Sequence, residues 1–204
     1  MLRDSMRRFA ERLEGKVALS FIDGPHIVDP SPHLPVALPS GCNPRGWWVP
    51  ERLQESGQWS YHGVDESLQA IAAAQRAQEV EYGHGFDGIV GFSQGSAMAH
   101  LVCALHEHGG GGPLPTLSCA ILFGGFPFSP AAPRYSETSK TLHRVQSLHV
   151  HGRRDNIVKS ATSKRLELCF APHSRMCYQH DGGHVVHSGT ASLDVYERWL
   201  NNLQ

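Results

Sequence analysis

The sequence predicts an α/β fold: a mostly parallel sheet flanked by helices. Three observations carry this. Five short apolar runs read as buried strands, longer segments of helical periodicity lie between them, and that alternation is the mark of βαβ units. The chain has 204 residues, enough for one domain with a sizeable core. With 40% hydrophobic and 18% charged residues it has a globular composition.

The expected strands are 17–22 (VALSFI), 88–92 (GIVGF), 119–123 (CAILF), 147–151 (SLHVH) and 175–179 (RMCYQ). At the N-terminus, Leu2, Met6, Phe9 and Leu13 recur at helical spacing and predict an amphipathic helix. Its acidic residues Asp4, Glu11 and Glu14 argue against a mitochondrial presequence, and it has no apolar signal-peptide core. Residues 64–82 are rich in Ala, Gln and Glu, with Val64, Leu68, Ile71 and Val80 placed roughly on one face. Further helices are expected at 95–107, 159–170 and 189–202, and 108–115 (HGGGGPLP) reads as a flexible surface loop.

One segment breaks the rhythm. Residues 25–62 hold Pro25, Pro30, Pro32, Pro35, Pro39, Pro44 and Pro50, together with Trp47, Trp48 and Trp59. Long loops inside compact domains are functional or disordered, and disordered linkers are poor in aromatics. The segment therefore reads as a lid or pocket loop of a single domain spanning 1–204. Residues 42–60 are expected to cover the pocket mouth, with Trp47 or Trp48 packed beneath.

Charge excludes several classes. Eighteen Lys and Arg against 19 Asp and Glu leave no basic stripe for nucleic acid or an anionic membrane surface. No apolar run is long enough to span a membrane. Cys42, Cys103, Cys119, Cys169 and Cys177 are scattered singly with no C-x-x-C, which fits a reducing, cytoplasmic compartment without disulfides or a zinc knuckle.

The chemistry centres on IVGFSQGSAMAH (89–100). Ser93 lies between Gly91 and Gly95, directly after an expected strand and at the start of an expected helix. A nucleophile elbow needs small residues two before and two after its Ser, because strand and helix approach closely there. The helix N-terminus favours a developing negative charge, and the Gln94 N–H would be one oxyanion donor. The alternative is a tight turn with a capping Ser. Downstream, Asp155 follows the strand at 147–151; it could serve as the acid, or cap the next helix, or pair with Arg153 or Arg154. After the last strand come His180, His184 and His187. His184 follows Gly182 and Gly183, a turn that could swing it back over the sheet. The order Ser93, Asp155, His184 suits a triad on this fold. A metal site from these histidines and Asp181 competes, but the two glycines oppose a helix there and H-E-x-x-H is absent. His149 and His151 read as packing or edge residues.

These blocks resemble the FSH family of serine hydrolases within the α/β-hydrolase superfamily. The matching pieces are DGPHIV (23–28), PRGWW (44–48), FDGIVGFSQGSAMAHLVCAL (86–105), LHVHGRRDNIV (148–158) and DGGHVVHS (181–188). The resemblance implies an α/β-hydrolase fold and carboxylic ester hydrolysis with neither metal nor organic cofactor. It makes Ser93 the nucleophile, Asp155 the acid and His184 the base. Trp47, Trp48 and Phe126, with Phe128, would form an apolar acyl pocket for a small-molecule ester with a medium or long acyl chain.

Two departures from the family pattern stand out. Gly124 occupies a position where a Ser is expected. The family also opens with an apolar strand and a small-residue turn that supplies a second oxyanion donor, whereas this sequence begins at the following helix. That first central strand is therefore expected to be missing, with no ladder joining 17–22 to 88–92. Two other readings follow: an acyl-thioesterase using the same triad, or a catalytically impaired shortened isoform acting as a binding or regulatory protein.

Overall fold

The chain opens with two short helices, α1 (Leu2–Ser5) and α2 (Arg7–Arg12), joined by a turn at Met6. The structure is a computed structural model that describes residues 2–28, 44–54, 57, 59–110, 112–129 and 133–203. Two antiparallel ribbons follow: β1 (His26–Ile27) pairs with β2 (Arg45–Gly46), and β3 (Val49–Arg52) with β4 (Trp59–His62). Then come α3 (Val64–Tyr82), β5 (Gly88–Phe92), α4 (Gln94–His108), β6 (Cys119–Phe123) and a kinked 3-10 segment, Pro133–Ser139. The chain closes with β7 (Gln146–Gly152), α5 (Ser160–Glu167), β8 (Arg175–His180) and α6 (Thr190–Asn201).

The main sheet is parallel, in the order β5-β6-β7-β8. Successive side chains on a strand face opposite sides, so β6 serves two cores. Ala120 and Leu122 join Ile71, Met98, Leu101 and Val102 on the α3/α4 side. Ile121 and Phe123 join Leu148 and Val150 from β7, and Met6, Phe9, Tyr196 and Trp199 from the terminal helices. The helical spacing of Met6, Phe9 and Leu13 is thus explained: each is at most 2% exposed. Burying a side chain such as Phe9 contributes roughly 1.5–3 kcal/mol.

Four of the five expected strands form within a residue of their expected bounds. The fifth, 17–22, does not. Val17, Leu19 and Phe21 turn inward onto the second core, a period of two as in a strand. A strand also needs a ladder, however, and these residues find no partner among those described. No ladder joins them to β5, which forms one edge of the sheet.

Two smaller expectations also change. Val80 is 89% exposed. It lies five residues beyond buried Gln75, about 140° around the helix from the stripe made by Val64, Ile71 and Gln75. The loop after α4 is not merely a surface feature, because Leu114 is buried in the first core and anchors it. His149 and His151 are buried in the interior strand β7, as packing residues rather than edge residues. No helix among the described residues is long and apolar enough to cross a membrane.

Much of the Pro-rich segment, 29–43, lies outside the described residues, including Pro30, Pro32, Pro35, Pro39 and Cys42. Its described part is ordered around tryptophan. Trp48 is 2% exposed and stacks on Tyr61 with ring centroids 4.9 Å apart. Phe128 and Phe126 meet it edge-on at 5.3 Å and 6.4 Å. Trp47 is half-buried against the same core, whereas Trp59 stays half exposed.

Candidate active site

Ser93 stands at the junction of β5 and α4 with φ 56° and ψ −118°. It is the one non-glycine residue with positive φ among those described. Such a conformation is costly for an L-residue and persists only when its surroundings impose it. They do so here. The Ser93 N–H donates to the Phe123 carbonyl of the next strand at 2.9 Å, and its own carbonyl accepts from Ser96 and Ala97. The Ser96 hydroxyl also donates to Phe123 O, at 2.9 Å.

The two flanking glycines have different reasons. A Cβ on Gly91 would lie 2.4 Å from the Gly95 carbonyl oxygen, so strand and helix could not close. A Cβ on Gly95 would instead meet the Trp47 indole, 3.4 Å away. The first N–H groups of any helix lack intrahelical acceptors. In α4 the first of them belongs to Gln94, next to Ser93.

Asp155 and His184 come from different loops and meet. His184 Nδ1–H donates to Asp155 Oδ2 at 2.7 Å. The Asp155 side chain is fully buried and that of His184 is 9% exposed. The meeting is arranged by two backbone bonds between the loops: Arg153 N–H to the His180 carbonyl (2.7 Å) and Arg154 N–H to the Gly182 carbonyl (3.0 Å). Gly152 permits the approach, since a Cβ there would come within 2.3 Å of Gly183 O. The ring of His184 lies 4.7 Å from that of Phe92, the residue immediately before Ser93. All three expected residues are therefore at the carboxyl-terminal side of the sheet, where open α/β folds bind ligands.

The competing roles for Asp155 are filled differently. Its Oδ1 accepts the N–H groups of Ile157 and Val158 at 2.9 Å and 2.8 Å, a local turn rather than a cap of α5. Arg153 pairs with the Asp181 carboxylate and Arg154 donates to the Asp181 carbonyl. His180 and His187 stack on each other at 4.6 Å. His180 Nδ1 accepts from Gly182 N–H and His187 Nδ1 bonds to Ser192. Burial first, and His187 second, push the pKa of His180 down to about 4. Among the described residues no three His, Cys, Asp or Glu converge as metal ligands.

The contacts of two residues at the site, Gly124 and Gln94, had little signal in the sequence. Gly124 has φ 50°, and a Cβ there would lie 3.1 Å from the His184 ring and 3.5 Å from Asp155 Oδ2. The Ser expected at this position would press on the His184 ring. The Gln94 side chain reaches across to the Trp-bearing loop, bonding to Trp47 and Trp48.

Comparison with known proteins places the chain in a family. The model of the serine hydrolase (FSH1) family matches residues 1–193. Esterase OVCA2 of Homo sapiens is 33% identical, over 98% of this chain and 92% of the human protein. The Bos taurus protein of the same name is 31% identical over the same shares. Among solved structures, the Bacillus cereus carboxylesterase superposes with a TM-score of 0.63 at 14% identity, covering 99% of this chain and 83% of that one. Zea mays acyl-protein thioesterase 2 gives 0.53 at 21% identity, covering 78% and 72%. Both share the α/β-hydrolase fold. A strained serine between strand and helix, a buried carboxylate bonded to a histidine, and a family match over nearly the whole chain lead to one conclusion: the chain belongs to the FSH1 serine hydrolase family.

Proposed function

We propose that the protein is a serine carboxylesterase that hydrolyses medium- or long-chain acyl esters through Ser93, His184 and Asp155. The observation that carries this reading is a strained Ser93 whose neighbour Phe92 lies against the ring of a histidine oriented by a buried carboxylate. Because Asp155 accepts from Nδ1–H, the neutral imidazole presents Nε2 as a lone-pair acceptor. Ser93 Oγ attacks the acyl carbon and its proton passes to Nε2. The carbonyl oxygen becomes an oxyanion facing the Gln94 N–H. The imidazolium, stabilised by Asp155, then protonates the departing alkoxide and leaves an acyl-enzyme. Water, deprotonated by Nε2, repeats the attack and releases the carboxylic acid.

The half-buried Trp47 and Phe126, beside Trp48 and Phe128, support an apolar wall next to the elbow. Such a wall favours acyl chains of several carbons, at about 0.8 kcal/mol per buried methylene. Reaction with a fluorophosphonate probe, mapped by peptide mass, tests the core of the proposal: Ser93 should carry the label and Ser93→Ala should abolish it. A series of acyl esters and matched thioesters then fixes the substrate. Faster turnover of thioesters at every chain length would make the protein a thioesterase. A folded chain that neither labels nor hydrolyses would instead be the binding or regulatory form.

A further inference from the structure

Gln94 has two ends that face the site. Its backbone N–H opens α4 beside Ser93, and its side chain bonds to the Trp-bearing loop. There the amide acts as one rung of a ladder. Oε1 accepts the Trp47 N–H at 2.7 Å and Nε2 donates to the Trp48 carbonyl at 3.0 Å. Between them, the Trp47 carbonyl accepts from the Ser67 hydroxyl of α3. Three backbone groups of two consecutive residues are thus held by side chains from two helices, one of them adjacent to the nucleophile. The Trp47 indole rests over Gly95, two residues from Ser93. Trp48 drops into the aromatic cluster with Tyr61, Phe126 and Phe128.

We propose that the Gln94 side chain is a specificity-positioning residue: it clamps the Trp47–Trp48 segment to the nucleophile's own helix and so sets the wall against which the acyl chain packs. This rests on Ser93 being the nucleophile. The chemistry of the clamp is selective. An amide both accepts and donates, matching an N–H and a C=O in sequence. A carboxylate can only accept and would set its charge against the Trp48 carbonyl. A thioether does neither in strength. Because the clamp ends on the residue after Ser93, wall and reacting atom share one rigid element. Selectivity by chain length requires that the two keep a fixed separation.

The test uses the full chain with Gln94→Met and Gln94→Glu. Methionine keeps the length, the helix preference and the backbone N–H, and loses both bonds. Two readouts are taken. The first is amide hydrogen exchange of the peptide spanning 44–50. The second is the ratio of kcat/KM for an octanoyl over an acetyl p-nitrophenyl ester, repeated as the ratio of labelling rates for long- and short-chain fluorophosphonates.

For Gln94→Met, exchange of 44–50 should quicken and the selectivity ratio should fall, each by about tenfold, as expected from losing two neutral hydrogen bonds. For Gln94→Glu the same loss should appear at pH 8 and recede as the solution is made acidic, because the protonated carboxyl can again accept from Trp47 and donate to Trp48. A ratio cancels the titration of the triad itself, so this recovery reports the clamp. A purely structural role would not produce it. Wild-type exchange of 44–50 in Gln94→Met, or a freed segment with unaltered selectivity, overturns the proposal. A wild-type chain inert to every ester and probe overturns the nucleophile reading and the selectivity role with it. Exchange of 44–50 then shows separately whether the tether exists.

Discussion

The Asp155 carboxylate divides its oxygens between two tasks, and the one given to His184 depends on the other. Oδ1 is fixed by the N–H groups of Ile157 and Val158. That leaves Oδ2 aimed at His184 Nδ1, 2.7 Å away. The local turn therefore orients the imidazole.

Asp155→Asn tests this division. The amide oxygen can still accept the two backbone N–H groups, so the turn should survive. The amide nitrogen would then face His184 and donate to Nδ1, which forces the proton onto Nε2. A ring in that tautomer cannot take the Ser93 proton. Turnover should fall by about 10⁴, the scale of the same substitution in other triads. Little change is expected in thermal midpoint. Turnover within tenfold of wild type would show that His184 is not the base.

Gly124→Ser is expected to harm activity and stability together. The backbone at φ 50° disfavours any side chain, at about 1–2 kcal/mol. The new Cβ would also press on His184 at 3.1 Å. A shift of the ring by a few tenths of an ångström weakens both its bond to Asp155 and its reach to Ser93. Turnover should drop about tenfold to a hundredfold, because misplacement on this scale is costly in preorganised sites. Unchanged turnover with a lowered thermal midpoint would separate strain from catalysis.

These residues also show what the sequence made legible. The strands β5 to β8 and helices α3, α4 and α6 were readable from short apolar runs or helical spacing within their own residues, even though β8 leaves Met176 exposed and fully buries only His180. Residues 17–22 carry the same alternation, yet being a strand is a relation to a neighbour and cannot be read from one segment. At the site, the glycines around Ser93 and before His184 were visible because a missing Cβ is a local signal. The partners of Gln94 were not. An amide after a serine can face solvent, a ligand or a loop, and its partners here lie 46 and 47 residues away. Gly152, just past the expected strand 147–151, drew no reading of its own, although its close approach to Gly183 lets the Asp and His loops meet.

Acid should lower the stability of the protein from about pH 6.5 downward, through buried neutral histidines. Burial pushes the pKa of His100 down to about 4 and that of His149 down to about 3. His100 Nδ1 accepts the Phe128 N–H, so a second proton would have to be accommodated at a core position with no solvent. In the unfolded chain both titrate near 6.5. The folded state binds fewer protons between these values, so stability is full above about pH 6.5 and falls as pH drops toward 4. Every tenfold loss of proton affinity on folding corresponds to about 1.4 kcal/mol. Denaturant titrations at pH 7.5 and 5 should differ by a few kcal/mol. His100→Gln, which can still accept from Phe128 N–H, should reduce the difference. An equal difference in that variant would assign the acid sensitivity to other groups.

Trp48 offers the sharpest separation of fold from specificity. It is 2% exposed, stacked on Tyr61 and edge-on to Phe126 and Phe128, so its ring is both a core residue and the backing of the proposed acyl wall. Trp48→Ala removes the whole ring and should cost about 3–5 kcal/mol. Trp48→Phe leaves a smaller ring in the same cluster and should cost less than half as much, with a cavity where the indole's second ring was. If the cluster backs the acyl site, that space is open to substrate, and the preferred ester should lengthen by two or more carbons while the backbone bonds to Gln94 persist. A graded series from acetyl to dodecanoyl esters measures this directly. A lower thermal midpoint with an unmoved chain-length optimum would mean that Trp48 only fills the core, and that the acyl chain runs on the other side of Ser93, along Phe92 and Val185.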